Sequence, residues 1–259
     1  MDYFIICFTA LLGSALTLFS GFGLGTILLP VFGLFFPIEL AVALTAIVHF
    51  LNNILKLALF AKHADKSIVM KFGIPSVIAA LGGAYLLNQL SDMQPLYSYQ
   101  LSSEGKIFHI TFLKMIISFL MIFFALIDLI PKLSNISFDK KYLSFGGALS
   151  GFVGGLSGHQ GALRSAFLIR LNLSKEIYIA TGVTVACMVD VSRLSVYAQH
   201  FKNFGDTINY NLLIAATLSA FAGIFIGSKV LKKITVATIQ YIVATMLIAI
   251  GILLGVGII

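Results

Sequence analysis

Apolar runs of about 20 residues, the length that carries a helix through roughly 30 Å of hydrocarbon, recur at residues 38–61, 69–90, 111–131, 174–200, 209–230 and 234–259. Each predicts a transmembrane helix. Two further apolar stretches, 3–36 and 142–172, are too long for one crossing. Both are interrupted near the middle by glycine, at Ser20-Gly21-Phe22-Gly23-Leu24-Gly25 and at Gly154-Gly155-Leu156-Ser157-Gly158-His159-Gln160-Gly161. The pattern predicts an all-α polytopic membrane protein with two broken segments among six plain spans.

Loop cations decide whether a broken segment crosses once or turns back. If each crosses once, they divide evenly between the two sides. If each folds into a hairpin at its glycines, Lys62, Lys66, Lys71, Lys132, Lys140, Lys141, Arg170, Lys175, Lys229, Lys232 and Lys233 share one side, and only Lys106, Lys114 and Lys202 lie on the other. The positive-inside rule favours the hairpins and predicts that both termini are outside, on the periplasmic face. An irregular glycine tip is tolerated at membrane depth where protein or a water-filled cavity receives its backbone groups.

Composition agrees. Hydrophobic residues make up 59% of the 259 and charged residues 10%, against about 45–50% and about 25% in a soluble domain, so lipid is the natural solvent. This excludes a cytosolic enzyme. It also removes nucleic acid as a partner despite the net charge of +7. The two cysteines, Cys7 and Cys187, lie in apolar runs and supply neither a disulfide scaffold nor a zinc site. No cofactor motif is present.

Sliding the chain on itself at an offset of 137 aligns Ser20–His63 with Ser157–His200 without gaps, with nine of 44 positions identical. Polar matches carry the signal: Ser20 with Ser157, Gly21 with Gly158, Glu39 with Glu176 and His63 with His200, while Asn53 pairs with Asp190 and Lys56 with Arg193. Each half, residues 1–133 and 134–259, would hold one broken segment and three crossings. That odd number makes the halves inverted repeats, the plan of secondary transporters whose substrate sits near mid-bilayer at broken helices.

Three cations fall inside the spans: Lys56, Arg164 and Arg193. A charge at the bilayer centre costs at least about 2.5–3.5 kcal/mol and is by default a functional candidate. Thr45, His49, Asn52, Asn53 and Lys56 follow steps of 4, 3, 1 and 3, which places all five on one helical face. On the matched helix, Asp190 and Arg193 stand at i, i+3 and can neutralise each other. Lys56 can instead snorkel to the interface, and Glu39 and Glu176 read as helix caps. The turns at Gly21, Gly23 and Gly25 and at Gly158 and Gly161 let backbone N–H groups approach an anion, with His159, Gln160 and Arg164 adding donors and a cation. Close helix packing is the competing role for such glycines. Gly82-Gly83 fits packing within or between chains, which leaves a homo-oligomer open. Asp190, His49 and His159 are candidates for proton coupling.

The run Gly21-Phe22-Gly23-Leu24-Gly25-Thr26-Ile27-Leu28-Leu29-Pro30, the following Ala41-Val42-Ala43-Leu44-Thr45 and the second copy from Gly151 through Ala166 resemble the sulfite exporter TauE/SafE family, also called the toluene sulfonate uptake permease family. The resemblance implies a bacterial inner-membrane carrier of sulfite, sulfonates or related small oxyanions. Leu24 interrupts the family's denser glycine run, His159-Gln160-Gly161-Ala162 replaces it in the second copy, and Phe167 stands where Pro30 would repeat. The expected function is secondary transport of such an anion by alternating access, with Lys56, Arg164, Arg193, Asn53, His159, Gln160 and the tip glycines on the substrate. A passive anion channel would use the same cations. A membrane-embedded enzyme is the third reading, and no catalytic motif favours it.

Overall fold

The computed structural model describes residues 1–20, 23–100, 105, 107–130, 138–201, 208–230 and 236–259. Its helices are α1 (Asp2–Ser20), α2 (Leu24–Gly33), α3 (Ile38–Phe60), α4 (Lys66–Ser91, with a π turn at Val69–Gly73), α5 (Phe112–Leu129), α6 (Leu143–Ser157), α7 (Gln160–Leu168), α8 (Lys175–Phe201), α9 (Tyr210–Val230) and α10 (Val236–Gly255). Segments Ile38–Leu59, Lys66–Ser91, Lys175–Ala198 and Tyr210–Gly227 are long and apolar enough to cross a bilayer, and shorter apolar helices accompany them.

Both broken segments fold back. A Cβ on Gly13 would stand 3.0 Å from Leu24 Cδ1 and 3.3 Å from Ile27 Cγ2, whereas residues 14 apart in one continuous helix are separated by roughly 21 Å. In the second segment a Cβ on Gly146 would meet the Phe167 ring, and Ser150 Oγ donates to Gln160 O at 3.0 Å. Glycine makes this second turn: Gly158 has φ +80°, and its N–H donates to Gly154 O at 3.0 Å. That left-handed cap ends α6 where any side chain would strain the backbone.

The helices pack in pairs. Helix α1 lies against α9 and α6 against α4, while α3 packs on α8 and α5 on α10. Glycines allow the closest approaches. Cβ atoms on Gly147, Gly151 and Gly155 of α6 would stand 2.2, 2.1 and 2.2 Å from the carbonyl oxygens of Phe72, Ser76 and Ala80 on α4. Similarly, a Cβ on Gly223 of α9 would lie 2.2 Å from Leu11 O of α1. This is the small-residue packing that lets membrane helices touch backbone to backbone.

Between α4 and α5 lies an antiparallel pair, β1 (Tyr97–Gln100) and β2 (Ile107–Ile110), in register Tyr97↔Ile110. Tyr99 Oη donates to Val256 O at 2.7 Å and ties the pair to the end of α10.

Helix α3 joins two groupings of loops. At its start, residues 33–39, the β-hairpin and Gly257–Ile259 surround a groove of about 490 Å³. Beyond its far end, Asp65, Ile68, Asp139, Lys140, Arg170 and Leu173 surround another of about 320 Å³, with Arg170 and Asp139 paired at 2.9 Å. Among the described residues, Lys140 and Arg170 thus lie at the end of α3 remote from Gly257–Ile259.

Candidate functional site

Thr45, His49, Asn52, Asn53 and Lys56 of α3 are all buried, so the polar stripe faces protein. Opposite it, α8 presents Asp190, Arg193 and Tyr197. The start of α2 meets the turn of the second hairpin beside it: a Cβ on Gly25 would lie 3.6 Å from Gly158 O.

Asp190 is the hub of the network. His49 Nδ1 lies 2.7 Å from Oδ2, a bond in which only the imidazole can donate, and Asn53 Nδ2 donates to the same oxygen at 3.3 Å. Oδ1 accepts from Arg193 Nε at 2.9 Å, from Arg193 Nη2 at 2.7 Å and from Gln160 Nε2 at 3.4 Å. Five donors on one carboxylate satisfy a charge that burial would otherwise penalise heavily. Arg193 is used up in the same arrangement. Its Nη1 reaches Gly154 O at 3.4 Å, and Tyr197 of the next turn donates to Gly155 O, so this face of α8 also clamps α6. Asn53 and Asp190 are separated by 137 residues, the offset at which the chain aligns on itself.

Beside the hub lies a cavity of about 40 Å³ lined by Thr17, Gly23, Leu24, His49, Asn53, Lys56, Arg164, Leu168, Tyr178, Ile179, Gly182 and Val183. It has room for a few water molecules. Lys56 and Arg164 both reach it. Neither forms an ion pair among the described residues, because the buried carboxylate nearby is already held by Arg193 and His49. Arg164 Nη1 donates to Gln160 Oε1 at 3.4 Å, which leaves most of its guanidinium free of protein acceptors. Two buried cations facing one small cavity make a strongly positive field in low dielectric.

The other sequence candidates are distributed around this centre. Gly23 caps α2 and lines the cavity, and Gly25 and Gly161 are buried at the starts of α2 and α7. Neither helix start has a side-chain cap bond, so first-turn N–H groups remain for a ligand or water. His159 turns away from the cavity lining. Its ring stacks on Phe124 with centroids 5.9 Å apart, and Nδ1 lies 3.2 Å from Ser157 Oγ. Arg193 also lies outside the lining. Gly21 falls outside the described residues. No group of side chains suited to a metal ion occurs among those described.

Sequence reasoning passed over Thr17, Tyr178, Gly182 and Val183. Gly182 carried a signal, because it is the duplication mate of Thr45 in the polar stripe. Tyr178 and Val183 carried none, being ordinary residues of an apolar helix.

Residues 6–254 match the sequence model of a family described as sulfite exporter TauE/SafE. No curated protein and no solved structure matches the chain.

Proposed function

Because the chain belongs to the sulfite exporter TauE/SafE family, we propose that it is a secondary transporter carrying a small oxyanion, such as sulfite, a sulfonate or a related carboxylate, across a bacterial inner membrane by alternating access. Membership implies a membrane anion transporter. The observation that carries the finer reading is the pair of buried cations, Lys56 and Arg164, facing one cavity without a carboxylate of their own. Arginine offers a planar fork for two oxygens of one anion, lysine a point charge beside it.

The cavity lies between the hairpin tips and the cation-rich end, since Leu168 ends α7 and Tyr178 belongs to the first turns of α8. The duplication mates of Arg164, Leu168, Tyr178, Ile179 and Val183 are Ile27, Val31, Ala41, Val42 and Ala46, and all five are buried. One side of the centre is therefore polar and hollow, the other apolar and packed. We take residues 1–133 and 134–259 as inverted repeats that exchange these roles, opening the site first to one side and then to the other. In this arrangement the cation-rich face is cytoplasmic and both termini are periplasmic. Movement of a proton with the anion falls to Asp190, His49 or His159.

The test is transport of radiolabelled sulfite into proteoliposomes under an imposed proton gradient. Uphill accumulation is expected. Losing a charge-assisted contact of about 1.5–3 kcal/mol in Arg164→Ala should lower apparent affinity by about 10- to 100-fold, with a smaller loss in Lys56→Gln. Flux that only runs downhill, at every gradient tried, would replace the carrier with a channel.

A further inference from the structure

His49 bridges the cavity and the buried carboxylate. Its Nδ1–H is committed to Asp190, whose ionised carboxylate can only accept, so Nε2 of the neutral ring is a bare lone pair, while Asn53 Nδ2 lies 3.1 Å from Nδ1 and 3.3 Å from Nε2, over the ring. His49 lines the cavity together with Gly23, the residue next to Nε2. Only the absence of a side chain on Gly23 leaves it accessible, for a Cβ there would stand 3.2 Å from Nε2. The charged groups around the ring are Lys56 on the same helix, Asp190 and Arg193 on α8, and Arg164 of α7 across the cavity, while Gly23 and Thr17 present no charge from the first hairpin.

An anion in this cavity meets a lone pair on the one polar group of the wall that is neither cationic nor able to donate there. Protonation of Nε2 turns that acceptor into a donor and adds the charge that makes a monoanion and its proton a neutral load for the bilayer centre. Resting on the anion-transport reading above, we propose that an anion entering the cavity brings one proton onto His49 Nε2, so that His49, and not Asp190 or His159, is the proton-coupling residue. The proton comes from hydronium or a buffer acid in the water at the cavity mouth, whose conjugate base stays in solution, and it forms the Nε2–H bond. Nδ1–H stays on Asp190, whose carboxylate remains ionised and keeps the Asn53 amide as a donor. Release of the anion returns both charges to solvent.

Calorimetric titration of the purified full chain with methanesulfonate and with thiosulfate, whose charges are fixed near neutrality, tests this in two cationic buffers of different ionisation enthalpy. Sulfonate buffers would compete and are avoided. Uptake approaching one proton per anion is expected, with affinity falling by about tenfold for each unit of rising pH once His49 is neutral in the free protein. In His49→Gln the uptake should vanish and affinity become independent of pH. Gly23→Ala, which crowds Nε2, should reduce uptake and serves if His49→Gln does not fold. Binding without proton uptake, or uptake that persists in His49→Gln, overturns the assignment while leaving anion transport standing. No binding by either anion removes both.

Discussion

Arg193 and Lys56 occupy matched positions of the duplication, yet they are opposite cases of a buried cation. Arg193 holds Asp190 through two donors and ties α8 to the second hairpin. Lys56 faces a cavity with no carboxylate partner among the described residues. Removing one member of a buried ion pair strands the other and costs about 3–5 kcal/mol. Arg193→Ala is therefore expected to melt well below the parent in detergent, and transport should be lost together with stability. Lys56→Gln removes a buried charge that nothing nearby neutralises, so it should melt at or above the parent while transport falls. Thermal denaturation of the two variants checks this contrast, and equal melting temperatures would abolish the distinction between a structural and a substrate-facing cation.

At the scale of elements, glycine does two jobs that sequence alone leaves entangled: turning a hairpin and letting helices touch. Gly151 packs against Ser76 O, so a methyl there forces α4 and α6 apart, whereas a Cβ on Gly82 would meet nothing within 4 Å. Overpacking typically costs about 1–3 kcal/mol. Gly151→Ala should lower the melting temperature measurably and Gly82→Ala should not. Much of this level was legible beforehand. The length of the broken segments and the sorting of lysines announced the hairpins, and the steps of 4, 3, 1 and 3 from Thr45 to Lys56 announced the buried face of α3. The Asp190–Arg193 pair was legible too, being local. What stayed hidden was pairing across the chain. Nothing in the sequence says that His49 reaches a carboxylate 141 residues away, that His159 turns to Phe124, or that Tyr178 and Gly182 complete a cavity wall. The β-hairpin escaped notice because its two four-residue strands, Tyr-Ser-Tyr-Gln and Ile-Phe-His-Ile, sit in a loop between long helices.

For the whole molecule, the folding back of both broken segments fixes which loops share a side. With Cys7 and Cys187 replaced, single cysteines at Lys66 and Lys140 should react with an impermeant thiol reagent from one face of the membrane, and a cysteine at Ser98 from the other. Labelling of positions 66 and 98 from the same face would contradict the path of α4. The contact between Asn53 and Asp190 has a meaning at this scale. The two residues stand 137 apart, the offset at which the chain aligns on itself, so the contact joins aligned positions that differ, an amide and an acid. Two acids at this spot would repel, and two amides would leave Arg193 without a counter-charge and His49 without its carboxylate acceptor. An acid facing an amide, differing at a single atom, answers both demands.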